Sequence, residues 1–414
     1  MKKICVITQL HPSMNPRMVK DADTLGEAGY EVSVIAPTFS REASEADRVF
    51  AGRAWRIVAS PRFGPEAPVL TRIRELVRRQ SARLLVEQLG LEHPMIVNAA
   101  WHSVTPDLVS AAKREKADLY LAHLVAALPA AALAAAHYRV PFAFDAEDFH
   151  LGDPPEGSEF DSVRRMTRAI EGRYLPQCAY VTAAAPGIAE AYAEAYGIAR
   201  PTVVLNTFPR SHAPAGPTPA GTAPGPSVYW FSQTIGPDRG LECAVRAIAI
   251  ARTVPHLYLR GTPSPGFSET LRNLAMEGGV GNRLHILPPG PPAEMERLAS
   301  IYDVGLAAET GHTPNRRIAL TNKLFTYLLA GIPIIASSIP AQVAFAEAVP
   351  NAMRLYQIDD HQGLAAVLDS LLGDRDALAA ARAAAFALGQ TRFNWDVEKR
   401  CLIDTVTAAI AKTN

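Results

Sequence analysis

Between Ile301 and Ser338 the chain reads IYDVGLAAETGHTPNRRIALTNKLFTYLLAGIPIIASS, which sets charged side chains where a fold alone has no use for them. The apolar run 304–308 predicts a strand ending in Glu309, and 311–320, rich in Gly, Pro, Asn and Arg, predicts a loop. Thr321 or Asn322 then caps a helix with Leu324, Phe325, Leu328 and Leu329 on its apolar face. Gly331 and Pro333 stop that helix, and 334–336 resume as a buried strand. Lys323 sits in the first helical turn, with Arg316 and Arg317 just upstream. A helix N-terminus carries about half a positive charge, so a cation there is disfavoured by roughly 0.3–1 kcal/mol. A phosphate at the exposed N–H groups, with Lys323 beside it, would relieve the crowding. The plain alternative is a solvated loop whose arginines pair with Glu309 or with nothing.

Other residues have a similar placement. A strand over 228–231 runs into the loop Ser232–Gly240, then into a helix with Leu241, Ala244, Val245 and Ile248 inside; Arg239 at the helix start makes this a phosphate cradle in outline. A strand over 257–259 ends in Arg260 and Gly261. His123 closes a strand over 119–122, at the edge where open α/β sheets collect ligands, although a lone histidine also serves in cores. After the strand 142–145 come Glu147 and Asp148, which could orient a hydroxyl or cap the helix expected over 160–172. Asp374-Arg375-Asp376 has a metal-like spacing but opens an Ala-rich helix, so capping is the better reading, and no Cys or His set stands at metal spacing.

The elements that must position these groups alternate strand and helix from Ile4 onward. The first βαβ lacks a Gly-x-Gly-x-x-Gly run, which argues against a dinucleotide cofactor. A Pro-, Ala- and Gly-rich stretch at 209–227 separates two α/β sheets as a linker. Lysine plus arginine number 41 against 41 acidic residues, so no overall field draws nucleic acid. The widely spaced Cys5, Cys178, Cys243 and Cys401 read as reduced thiols of a cytoplasmic protein, and no signal peptide or spanning segment is expected. Leu70 to Val86 predicts an amphipathic helix carrying Arg72, Arg74, Arg78, Arg79 and Arg83. It either packs on the sheet with its arginines in water or lies on an anionic membrane.

Glu309 followed by Asn322-Lys323-Leu324-Phe325-Thr326-Tyr327 and Ala330-Gly331-Ile332-Pro333 resembles the donor-binding segment of family 4 glycosyltransferases of the GT-B fold, which carry a second Glu where this chain has Thr326. The loop 9–17 resembles that family's opening without its glycines. DLYLAHLVAALPAA is similar to its strand ending in a sugar-facing His, and Asp145 to Asp148 to its Asp-Ala-His-Glu element, with Glu147 at the His position. The loop 232–240 is similar to its phosphate loop, with Arg239 at the family Lys and Gln233 near the family Arg.

This resemblance implies two Rossmann-like doubly wound domains facing a cleft: 1–208 on the acceptor side, the linker 209–227, 228–392 for the nucleotide sugar, and 393–414 as a helix returning to the first domain. It implies a retaining, metal-independent hexosyltransferase moving sugar from a nucleotide-diphosphate sugar to a sugar or lipid-linked acceptor in bacterial surface polysaccharide or glycoconjugate synthesis, with no cofactor. His123, Glu309, Arg239 and Lys323 would be catalytic. Gln233, Arg239, Gly240, Arg260, Gly261, Asn322, Lys323, Leu324 and Thr326 would hold the donor, Thr326 at the ribose. His11, Asn15, Arg17, Glu147 and Asp148 would face the acceptor. The expected location is the cytoplasm, with peripheral contact to the inner membrane face through Leu70 to Val86. Thr326, Gln233 and the glycine-free first loop support a rival reading, a non-catalytic nucleotide-sugar-binding or scaffold protein.

Overall fold

The computed structural model describes residues 1–411. Two compact units divide the chain: the first holds Met1–Val204, Thr313–Asn315 and the chain from Lys399 on, the second Leu205–His312 and Arg316–Glu398.

Seven parallel strands form the sheet of the first unit: β1 (Lys3–Thr8), β2 (Glu31–Ile35), β3 (Trp55–Ala59), β4 (Leu119–His123), β5 (Phe142–Ala146), β6 (Tyr180–Ala183) and β7 (Thr202–Val203). Their order is β3-β2-β1-β4-β5-β6-β7. Central strands such as LYLAH are buried throughout because helices cover both faces, which is why they read as continuous apolar runs. The order reverses between β1 and β4, where the loops leaving two adjacent strands part and open the usual ligand crevice of such sheets. At that edge the pairing lines up Thr8, His123, Asp145 and Thr182 in one polar row across β1, β4, β5 and β6.

Six parallel strands form the second sheet: β8 (Ser227–Ile235), β9 (His256–Pro263), β10 (Leu284–Leu287), β11 (Val304–Ala307), β12 (Ile334–Ser337) and β13 (Met353–Tyr356), in the order β10-β9-β8-β11-β12-β13. Its switch point lies between β8 and β11. Trp230, Leu257, Leu259 and Leu306 pack there with Leu241, Ile248 and Leu368 of the covering helices. Each such aliphatic side chain contributes roughly 1.5–3 kcal/mol by leaving water.

Several boundaries differ from the sequence reading. β8 does not stop before Ser232; after a register shift between Phe231 and Thr234 it continues to Ile235 beside β9, so Gln233 and Gly261 lie in strands. Gly261 is required at that shift, because its φ is +150° and a Cβ would stand 2.3 Å from Ser232 O. The expected loop 311–320 contains the short helix Pro314–Ile318. The stretch 209–227 holds no strand before Ser227, yet it is fastened to the second unit rather than slack. Asp303 accepts from Gly221 N at 2.7 Å and Ser227 N at 2.8 Å, and the buried Arg382 donates to Thr218 O and Ser300 O at 2.7 and 2.9 Å. The final helix, Trp395–Ala411, ties to the first unit through Lys399 to Glu27 at 3.1 Å and Thr407 to Tyr30 at 3.0 Å; residues 412–414 of the expected helix lie outside the described residues. Among the described residues, no helix is long and apolar enough to cross a membrane.

Candidate functional site

In the second unit, Glu309 follows β11 and its backbone is clamped by Ser337, whose Oγ accepts from Glu309 N at 2.8 Å and donates to Glu309 O at 2.6 Å. The buried carboxylate accepts from Lys323 Nζ at 3.0 Å. Lys323 is the second residue of the helix Asn322–Ala330, and its ammonium lies 5.2 Å from the Trp230 ring centre. Burial pushes the Glu309 carboxyl up, but Lys323, then Arg316 and Arg239, override that and hold it below its ordinary range. Burial lowers Lys323; Glu309 opposes this, the two arginines reinforce it, and the net shift is downward. Lys323, Arg316 and Arg239 thus bear on the one carboxylate of Glu309.

The start of this helix is open. Thr321 is the capping residue, but its side chain makes no capping bond and its Oγ1 is buried without a hydrogen-bond partner. Asn322 is exposed, whereas Leu324 is wholly buried and has only its backbone to offer a ligand. Across the switch point, Arg239 is half-buried at the start of the helix Leu241–Ile250. Gly240 has φ +65°, and a Cβ would come 3.0 Å from Ala308 Cβ, so glycine lets this loop press against the end of β11. Thr310 Oγ1 donates to Asp238 O at 3.1 Å and joins the two loops. Gln233 is exposed on β8, while Arg260 braces the sheet by donating to Tyr229 Oη at 3.0 Å and Pro288 O at 2.9 Å. Of the donor-binding residues expected, Arg239, Gly240, Asn322 and Lys323 thus belong, with the expected catalytic Glu309, to the two loops and the helix start at the switch point.

In the first unit, most of the residues expected on the acceptor side are buried or engaged with other protein groups. His11 is 1% exposed; its Nδ1 donates to Asp47 Oδ2 at 2.7 Å and its Nε2 accepts from Phe39 N and Ser40 N at 3.0 and 3.2 Å, so the ring clasps three chain segments. Asn15 caps the helix Pro16–Glu27 by accepting from Met18 N at 3.1 Å. Arg17 forms a bidentate buried pair with Asp145 at 2.7 and 2.8 Å and donates to Val204 O at 2.9 Å. His123, expected to face a sugar, is enclosed: Asp21 Oδ2 lies 3.4 Å from Nε2 and Asp145 Oδ2 3.4 Å from Nδ1. These four side chains are buried among protein groups.

Their charges tune one another. Burial would lower His123, but Asp145 and Asp21 raise it. Burial would raise Asp145, but Arg17 and then His123 hold it far below its ordinary range. Asp21, with burial and the Asp145 charge against it, is pushed up to about 6. Burial and then Arg17 bring Lys20 down to about 7, and burial with Asp148 pushes Glu147 up to about 7. Glu147 is half-buried beyond β5 and, unlike the fully enclosed Asp21, is a partly accessible carboxyl suited to exchange a proton near neutrality. Asp148 instead accepts from Asn315 Nδ2 at 2.8 Å. His150, next in the loop, turns inward: its Nδ1 lies 2.7 Å from Tyr192 Oη and 3.2 Å from Glu171, whose charge outweighs burial and raises it to about 9.

One atom from each of Asp21, His123 and Asp145 can be chosen so that all lie within 4.8 Å, a spacing suited to a metal. Both Asp145 oxygens, however, already accept from Arg17, and Oδ1 also from Thr182 Oγ1 at 2.6 Å. A cation would meet a guanidinium there, so the donor set fits an ion-pair network better than a metal.

No family model matches the chain. The D-inositol 3-phosphate glycosyltransferase of Nocardia farcinica (strain IFM 10152) is 26% identical over 96% of this chain and 85% of its own length. Sucrose-phosphate synthase from Thermosynechococcus elongatus has a TM-score of 0.73 at 13% identity, covering 100% of both chains. Anabaena HepE in complex with UDP and glucose has a TM-score of 0.70 at 17% identity, covering 99% of this chain and 100% of its own. The chain has the GT-B fold.

In this GT-B chain the carboxylate missing at Thr326 stands nearby on another helix. Glu296, on the helix Met295–Ser300, is fully buried, and its Oε1 accepts from Thr326 Oγ1 at 3.2 Å. Glu296 Oε2 makes no hydrogen bond and lies 3.6 Å from His212 Nδ1. Thr326, expected at the ribose, is enclosed, and its hydroxyl hydrogen is taken by Glu296. Glu296 escaped the sequence reading, although its spacing from Ala299 and Ser300, also buried, sets it on the inner face of its helix. Thr326→Glu places a second carboxylate against the first. It is expected to destabilise the protein by about 1–3 kcal/mol in urea unfolding and to leave nucleotide affinity no higher than in the parent. A folded Thr326→Glu protein with raised affinity would instead turn this position toward the ribose.

Proposed function

We propose that this chain is a retaining glycosyltransferase that moves a hexosyl group from a nucleoside-diphosphate sugar to the hydroxyl of a sugar or lipid-linked acceptor, in bacterial surface polysaccharide or glycoconjugate synthesis. The observation that carries the reading is the electropositive switch point of the second unit, where Lys323, Arg239 and Arg316 surround Glu309 beside an open helix start. As the bond from sugar to diphosphate breaks, negative charge grows on the departing phosphate oxygens. Cations and N–H groups already oriented in a partly dry site stabilise that charge without reorganising, and removal of one such donor costs roughly 10²–10³ in rate. With these cations in place the reading assigns no metal. Glu309 keeps Lys323 oriented, and its second oxygen could accept from a sugar hydroxyl. The Nocardia relative's name and the UDP and glucose held by HepE support a nucleotide-sugar donor.

A thermal-shift panel of UDP, GDP, dTDP and CMP, followed by a nucleotide-release assay with the sugar diphosphates of the base that binds, tests this. Ligand at a hundred times its dissociation constant adds about 2.7 kcal/mol of stability, and the matching sugar nucleotide is expected to release its nucleotide. Binding without release in the presence of sugar and lipid-linked acceptors would favour the non-catalytic reading, which the displaced carboxylate at Thr326 and Glu296 also supports. No shift with any of the four would sink both.

A further inference from the structure

The helix Val69–Leu89 in the first unit is built the wrong way round for a helix facing water. Leu70, Ile73, Leu76, Val77 and Leu84 are each 53–81% exposed, while the residues it buries are Glu75, Ala82 and Val86. At 3.6 residues per turn, Ile73, Val77 and Leu84 fall within about 20° of one line, opposite the three buried residues. Inward contacts are polar as well: Arg78 donates to Asp107 Oδ2 at 2.7 Å and to Ser103 O, and Gly64 N donates to Glu75. By the same geometry Arg72, Arg79 and Arg83 line one flank of the aliphatic stripe and Arg74 the other. Arg74 meets Asp107 at 3.3 Å and Arg83 meets Glu87 at 3.0 Å, whereas Arg72 and Arg79 make no ion pair among the described residues.

We infer that this helix seats the first unit on an anionic lipid bilayer, lying in the interface with Leu70, Ile73, Val77 and Leu84 among the acyl chains and the flanking arginines at headgroup phosphates. Aliphatic groups standing outward gain about 25 cal/mol for each Å² taken from water. Arginines on the flanks can keep their charge at phosphate level while their stems follow the apolar stripe down. The helix carries five arginines and two glutamates, a net charge of +3 on a chain whose total is zero, so the positive charge is concentrated where the aliphatic stripe is. That charge opposes the same face of a second copy and suits an anionic surface. The inference does not rest on the nucleotide-sugar reading, since every residue it uses belongs to the first unit and the phosphate cradle residues belong to the second.

Full-length protein is sedimented with phosphatidylcholine vesicles containing about a third phosphatidylglycerol, and with pure phosphatidylcholine, at low and high salt. Binding is expected with the anionic vesicles alone and is expected to weaken as salt is added. Arg72→Gln/Arg79→Gln/Arg83→Gln should weaken partitioning roughly a hundredfold, and Leu70→Ser/Ile73→Ser/Val77→Ser at least tenfold. All six side chains are at the surface or its margin, so both variants should keep the parent's circular-dichroism melting curve and its nucleotide shift. Failure of the parent to sediment with anionic vesicles at low salt overturns the proposal. So does a parent dimer in analytical ultracentrifugation that the serine variant abolishes, because the face is then a protein interface.

Discussion

Replacing Arg17 with alanine is expected to destabilise the protein by about 3–5 kcal/mol, the usual result of removing one partner from a buried ion pair. Arg17 is 1% exposed and meets both oxygens of Asp145, itself 1% exposed. Without the guanidinium, Asp145 keeps only Thr182 and His123 beside it, and the nearby Asp21 charge repels it. The pH dependence follows from the depressed Asp145 value. A carboxyl whose folded-state pKa is lowered contributes stability that is present above its ordinary value, near 4, and is lost as pH falls toward the folded-state value. The gap between parent and Arg17→Ala should therefore be full at neutral pH and narrow below about pH 4. Urea unfolding followed by circular dichroism at several pH values measures this. A gap under about 1 kcal/mol at neutral pH would mean that water already screens the pair.

Buried polar contacts of this kind explain why the fold was more legible than the site. The strands expected over 119–122, 142–145 and 334–336 appear as Leu119–His123, Phe142–Ala146 and Ile334–Ser337, each within a residue of its expected bounds, and the doubly wound GT-B architecture is the one expected. Strand order is another matter, because it is set by packing between distant segments, and the switch points that locate the candidate sites come only from the sheets. A sequence shows that His11, Asn15, Arg17 and His123 are polar and near strand ends. It does not show whether each looks at a ligand or at another loop, since both uses favour the same residue types. One signal was available: Asp21 follows Arg17 by four residues on the face shared with Met18, Ala22 and Leu25, and charged residues on a helix's buried face need partners inside the protein. The segment around Lys323 was clearer because a cation at a helix start opposes the helix dipole, a conflict visible without any partner. Even there the ion pair falls between Glu309 and Lys323, where the plain reading had paired Glu309 with the arginines.

Lys323→Met should lower nucleoside-diphosphate affinity by about ten- to a hundredfold and turnover by roughly 10²–10³, if the electropositive switch point holds the departing diphosphate. Methionine keeps an unbranched apolar stem against Trp230 and removes only the ammonium, so lost packing should be small. Glu309 would lose its partner at 3.0 Å but would still feel Arg316 and Arg239, which keeps it from being an isolated buried charge. Stability should therefore fall less than in Arg17→Ala, where only His123, at 3.4 Å, remains as a cation beside a carboxylate that the Asp21 charge repels. Calorimetry with a nucleoside and with its diphosphate separates the two roles of Lys323. Loss confined to the diphosphate places the ammonium at the phosphates, and Arg239→Gln should then show the same selectivity. Equal loss for nucleoside and diphosphate would mean that Lys323 only holds Glu309 and the loop after β11 in place, and the phosphate assignment would fall.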